Sequence, residues 1–210
     1  MSVRPHNAGA PASLPTIAER VRQRIEVLLD AEIERWSAVD DDLGDPLRSL
    51  RSLVLAGGKR LRPAFCHWGF VGAGGDPDDP RVVDAGAALE LLHTFALIHD
   101  DIMDGSDLRR GGPSVPAYFI DVHAGSGWRG DPSRFGRNAA LLGGDLCAGW
   151  ADQMLLGSGL PDERLRRGYD GFARMRAEVI AGQYLDLLSG AGPGTVGDAL
   201  SVVRLKAARY

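Results

Sequence analysis

Residues 80–104 read PRVVDAGAALELLHTFALIHDDIMD, and the apolar part of this stretch, Val82 to Ile98, is the longest in the chain. It is interrupted only by Asp84, Glu90 and His93 before it ends in Asp100, Asp101 and Asp104. Such a segment predicts a buried helix, with Gly105 placed as a C-terminal cap. The three polar interruptions argue against a membrane span. Upstream, Ile17, Val21, Ile25, Leu28, Leu29 and Ile33 recur at the spacing of an amphipathic helix over Leu14–Val39. A turn at Asp40–Pro46 follows, then a short helix through Leu47, Leu50, Leu53 and Val54 that Gly57-Gly58 breaks. Another helix is expected from about Leu61 to Val71. Downstream, residues 105–136 read as a long loop holding a short helix. Helices follow over Asn138–Leu156, Pro161–Leu188 and Thr195–Tyr210. The alternating pattern of strands is missing, so the fold class is all-α.

The 210 residues, 44% of them hydrophobic, suffice for one core, and a single domain over 14–210 is expected after a disordered leader at 1–13. The last helix stops at Tyr210 with no cap or polar tail, as if the fold continued. With 24 Lys and Arg against 28 Asp and Glu, nothing in the bulk charge attracts nucleic acid or anionic lipid. Cys66 and Cys147 lack metal-site spacing and read as reduced core thiols in a cytoplasmic setting.

The acidic end of the 80–104 helix is an unfavourable arrangement unless something binds there. Asp100 and Asp104 lie one turn apart, roughly 6 Å along the axis, and like charges at that spacing repel. Acids at a helix C-terminus also oppose the dipole, at about 0.3–1 kcal/mol each. A cation between them reverses both penalties, and an all-oxygen donor set favours Mg²⁺ or Ca²⁺ over zinc. Two basic clusters flank this triad. Lys59, Arg60 and Arg62 follow two glycines at a helix start, and Arg109-Arg110 precede Gly111-Gly112. Anions docking there would meet backbone N–H groups and guanidinium forks together. Each cluster alone fits a solvated surface. Jointly they fit a site where acids hold metal and bases hold phosphates.

Five ordered stretches resemble the polyprenyl synthetases, the trans-isoprenyl diphosphate synthases. They are GGKRLRP (57–63), ELLHTFALIHDDIMDGSDLRRGGPSV (90–115), NAALLGGDLCAGWAD (138–152), AEVIAGQYLDL (177–187) and VVRLKAARY (202–210). The DDIMDGSDLRRG wording is most similar to geranylgeranyl diphosphate synthases of actinobacterial type. The resemblance implies an isoprenoid-synthase helical bundle around a central cavity. It also implies a Mg²⁺-dependent condensation of isopentenyl diphosphate with an allylic diphosphate, geranyl or farnesyl, carried out by a homodimer.

The resemblance implies metal ligation by Asp100 and Asp104, with Asp101 supporting. Lys59, Arg62 and His93, assisted by Arg110, would bind the isopentenyl diphosphate. Arg109 and Lys206 would hold the allylic diphosphate, and Gln183 and Asp186 would face the cavity near the metals. Phe95, five residues before Asp100, would close the product tunnel, with Ala96 leaving some depth; this implies C20 products, with C15 next. The family's second aspartate-rich motif lies beyond the Lys206 region and is not reached by residue 210. Ala207 replaces a usual Thr, and Pro116 a common His. A non-catalytic paralogue or partner subunit and a class I terpene cyclase are the alternatives. The isopentenyl-site clusters argue against the cyclase, which has no second diphosphate to hold.

Overall fold

The computed structural model of the chain describes residues 12–208, so the expected leader at 1–13, all but its last two residues, and the final two residues of the chain lie outside the described part. Packing divides the chain into two compact units, one through Gly159 and one from Leu160 onward. The sequence reading treats 14–210 as one domain.

In the first unit, α1 (Leu14–Ser37) begins where the Ser13 hydroxyl accepts the Thr16 N–H. It buries Ile17, Val21, Ile25 and Leu29. Its last core position is an acid: Glu32 is buried and accepts the Trp36 indole N–H at 2.9 Å. A 3-10 turn at Asp41–Leu43 leads directly into α2 (Gly44–Leu55), whose start absorbs residues expected in a turn. Pro46 is tolerated there because the first turn has no use for its missing N–H. Then come α3 (Leu61–Gly72) and α4 (Pro80–Asp104), with Gly105 capping α4 at φ 62°.

The central element is α4, which packs on α1, α3, α5 and α6. Among the described residues it is the one helix long and apolar enough to cross a membrane, yet its burial is within the protein. It buries Leu91, Leu92, Phe95 and Ile98 together with Glu90, Thr94 and Asp101.

The 105–136 segment is more ordered than a loop. Strands β1 (Leu108–Arg109) and β2 (Gly112–Pro113) form a short antiparallel ribbon, followed by α5 (Val115–Gly125). Two-residue strands are too short to show alternation, which is why periodicity does not find them. Next, α6 (Pro132–Leu156) starts six residues before the expected Asn138, with Asp131 as N-cap and Pro132 first in the helix. Gly144 lets α6 approach α4, since a Cβ there would collide with the His99 ring. Cys147 is fully buried and Cys66 partly so, and burial pushes their thiols up to about 12 and about 11.

The second unit is α7 (Asp162–Ala191), α8 (Val196–Val202) and a π-helical turn, Val203–Ala208. A capping box between Thr195 and Asp198 starts α8. The π-helical turn packs back on α7, where Gly182 has backbone from Leu205 and Lys206 directly over it.

Candidate functional site

The acidic end of α4 and the β1–β2 ribbon form one structure. Gly105 and Ser106 both return their N–H groups to the Asp101 carbonyl, turning the chain sharply after Asp104. The Ser114 hydroxyl donates to the Ser106 carbonyl at 2.5 Å, and the Ser114 N–H to the Asp107 carbonyl at 2.9 Å. The ribbon is thereby pinned at its base. Arg109 pairs with Gly112, leaving Arg110 and Gly111 as the two turn residues, at φ 52° and 83°. This is the type I′ hairpin pattern, with arginine where asparagine or glycine is usual.

The three aspartates have different surroundings. Asp104 is exposed and Asp100 partly so. Asp101 is fully buried, and its Oδ1 accepts both the Nε of Arg109, at 2.8 Å, and its terminal N–H. Arg109 also lies 3.7 Å from Asp100. Burial pushes the Asp101 carboxyl up, against the pull of Arg109, and the neighbouring Asp100 and Asp104 push the same way. The other Asp101 oxygen, Oδ2, is buried without a hydrogen-bond partner. Among the described residues, no three His, Cys, Asp or Glu side chains converge as a ready-made metal cage. The oxygen donors that are present, Asp100 and Asp104, suit a hard cation such as Mg²⁺, which binds through one or two carboxylates and completes its shell with water and substrate phosphate oxygens.

The basic residues gather around His93. Burial, and then the charges of Arg62, Arg110, Arg60 and Arg109, hold its imidazole down to about 3, so it is neutral at ordinary pH. Both sequence clusters therefore meet at one residue of α4, two turns before Asp100. Arg110 is largely buried and Arg62 half-buried, while Lys59 is exposed in the preceding loop. A cleft of about 400 Å³ opens beside them, bounded by Arg109, Arg110, Ser114 and Tyr118 on one side and Arg48 and Ser52 on the other.

Phe95 is buried on α4, with its ring centroid 4.6 Å from that of His99 in an edge contact. His99 in turn reaches α6, its Nε2 lying 3.2 Å from the Leu141 carbonyl and 3.7 Å from Asp145.

The remaining expected site residues lie in the second unit. There Lys206 donates to Asp186 at 2.5 Å, and Gln183 sits one turn before Asp186 with its buried Nε2 lacking a hydrogen-bond partner. The close approach at Gly182 brings these three together.

Sequence reasoning counted Arg60 among the cations open to an anion and missed its buried partner, Glu90. Arg60 is 5% exposed and Glu90 2%, and they are hydrogen-bonded to one another. A glutamate inside the most apolar helix is itself the signal, because a charge buried there demands a partner.

The family profile described as Polyprenyl synthetase matches residues 47–210. The geranylgeranyl diphosphate synthase of Sulfolobus acidocaldarius is 37% identical over 137 residues, which are 64% of this chain and 36% of that protein. The nonaprenyl diphosphate synthase of Mycobacterium tuberculosis is 34% identical over 152 residues, covering 72% and 38%. Among solved structures, a geranylgeranyl pyrophosphate synthase from Corynebacterium glutamicum, complexed with isoprenyl diphosphate and magnesium, aligns with TM-score 0.88 and 40% identity. That alignment covers 95% of this chain and 57% of the other. The chain thus spans well under two thirds of the length of the relatives it matches.

Proposed function

The chain belongs to the polyprenyl synthetase family, and on that premise we propose that it serves a trans-prenyltransferase joining isopentenyl diphosphate to an allylic diphosphate. The observation that carries the reading is the meeting of opposed charges on α4. Four arginines surround His93, and the last of them, Arg109, reaches across to Asp100 and Asp101. One anionic group has a place among the guanidiniums, and a second beside the carboxylates that accept a cation.

Asp100 and Asp104 would hold Mg²⁺, which when bound would offset charge on the departing diphosphate. Asp101 supports them by fixing Arg109. Lys59, Arg62, His93 and Arg110 bind the isopentenyl diphosphate, His93 as a neutral hydrogen-bonding group. Within the first unit Arg109 holds the allylic diphosphate while its C–O bond breaks; within the second, Lys206, paired with Asp186 one turn after Gln183, is a further cation for a diphosphate. The isopentenyl double bond then attacks the allylic cation, and a proton leaves to the released diphosphate. No protein nucleophile takes part. The cations contribute by lying where negative charge develops, without reorganising as it does.

Phe95 limits product length, in favour of C20. Its burial against His99 supports a fixed floor and not a swinging side chain. A homodimer is supported by the exposed Leu141, Leu142 and Leu146 on α6. A soluble setting is supported by the burial of α4, among the described residues the one helix long and apolar enough to span a membrane.

The test is to titrate the 210-residue chain with labelled isopentenyl diphosphate, then add farnesyl diphosphate and Mg²⁺ and analyse the products. Saturable binding that is lost in Arg62→Ala, with formation of a C20 diphosphate, is the expected result. Absence of both binding and turnover overturns the reading. Binding without turnover assigns the chain to a second reading, a non-catalytic subunit.

A further inference from the structure

We propose that Glu90 is a positioning residue: one buried carboxylate on α4 clamps the 57–60 loop and the β1–β2 turn together and sets the spacing of the diphosphate-binding cations. The inference rests on the proposed function and adds a residue to it. Glu90 has a side chain 3% exposed and stands three residues before His93, on the same side of α4. Its Oε1 accepts the Arg60 guanidinium and lies 3.5 Å from that of Arg110. Arg60 also donates to the Val54 carbonyl at 2.5 Å, which ties in the end of α2.

The backbone supports the same conclusion. Arg60, at φ 47°, and Arg110, at φ 52°, are the only non-glycine residues in the left-handed region among those described. Both adopt this costly conformation and both point at one carboxylate. The Arg110 guanidinium also passes over Gly58, where a Cβ would stand 3.3 Å from its terminal nitrogen. The two basic segments therefore touch each other as well as Glu90. Arg60 is too buried to hold a ligand. Its charge balances Glu90, while of its neighbours Lys59 is exposed and Arg62 half-buried.

The sign of the effect separates this role from its rivals. By Coulomb's law alone, removing a negative charge beside an anion site tightens anion binding. A positioning role predicts the reverse. Inorganic pyrophosphate binding is measured by calorimetry on the 210-residue chain and on Glu90→Gln. The expected result is a loss of about tenfold or more, as when an outer partner of a ligand-holding group is removed. The loss is expected to shrink when Arg110→Ala is already present, because the two residues act through one contact. Unchanged or tighter binding in Glu90→Gln overturns the inference and leaves the proposed function intact. No pyrophosphate binding by the unsubstituted chain overturns both. If Glu90→Gln does not fold, the apolar pair Arg60→Met with Glu90→Met replaces it, since a buried ion pair is often exchangeable for well-packed side chains. Weakened binding in that folded double variant supports the inference, and full affinity refutes it.

Discussion

Asp101 and His93 each have a titration shifted by burial, Asp101 upward and His93 downward, and each is placed there for its neighbours. Asp101 is buried so that Arg109 can be held against it. Truncation therefore strands a guanidinium that is itself only one-quarter exposed. Asp101→Ala is expected to lower stability by about 1–3 kcal/mol, the penalty for leaving a charged hydrogen-bonding partner unsatisfied. Asp101→Asn, which keeps an acceptor of the same shape, is expected to cost less; urea denaturation of both variants measures the difference. His93 works through pH. Its imidazole is held down to about 3 in the folded chain against 6.5 ordinarily, so between these values the unfolded chain binds a proton that the folded chain does not. Stability therefore rises with pH across that window and is lost as pH falls from about 6.5 toward 3. The urea midpoint of the unsubstituted chain should fall more steeply on acidification than that of His93→Gln; parallel slopes would contradict the assignment. An added diphosphate would pull the His93 pKa upward, visible in the imidazole proton shifts.

Close helix approaches, more than apolar periodicity, fix where the elements meet. At Gly136 on α6, a Cβ would stand 2.6 Å from the Pro116 carbonyl and 2.9 Å from the Ile120 nitrogen. Backbone cannot rotate away as a side chain can, so Gly136→Ala must push α5 off α6. A loss of about 1–3 kcal/mol is expected, as for other overpacked sites. Gly171→Ala on α7, with nothing within 4 Å, should instead gain about 0.5–1 kcal/mol. Thermal melts followed by circular dichroism compare the two. These contacts also mark the limit of what sequence conveys. The helices over 14–37, 61–72 and 80–104 are legible because long apolar stripes and caps such as Gly105 dictate them locally. The ribbon at 108–113 is not, because its turn places Arg110 in a conformation that arginine rarely chooses, and tertiary contacts with Glu90 impose it. The candidate site shows the same division. The exposed and half-buried charges, Asp100, Asp104, Lys59 and Arg62, stand out as clusters that make poor helix ends. Glu90 bears no such mark, and Arg60 stands in its cluster with no sign that it alone is buried, since which charges are buried together is decided by packing between distant segments.

On the scale of the molecule, the two units differ in how well they cover their own apolar surface. The first encloses α4 on several sides, leaving Leu91, Leu92 and Ile98 with no exposure at all. The second has one long helix and little to lay against it. Along α7, Ile180, Tyr184, Leu187 and Leu188 recur at the spacing of a single face and are 45–62% exposed. On α8, Val196 and Leu200 are more exposed still, at 79% and 64%. A continuous stripe of this kind is an interaction surface or an aggregation liability, because water gains by its removal. The 210-residue chain is accordingly expected to enhance the fluorescence of an apolar dye and to associate as its concentration rises. Tyr184→Glu combined with Leu188→Glu places two charges one turn apart in the middle of that face. Both dye binding and association should fall while far-ultraviolet ellipticity stays within a few per cent, since neither side chain belongs to the buried core. Undiminished dye binding in the double variant would place the exposed apolar surface elsewhere, and α6, with Leu141, Leu142 and Leu146, would be the next face to charge.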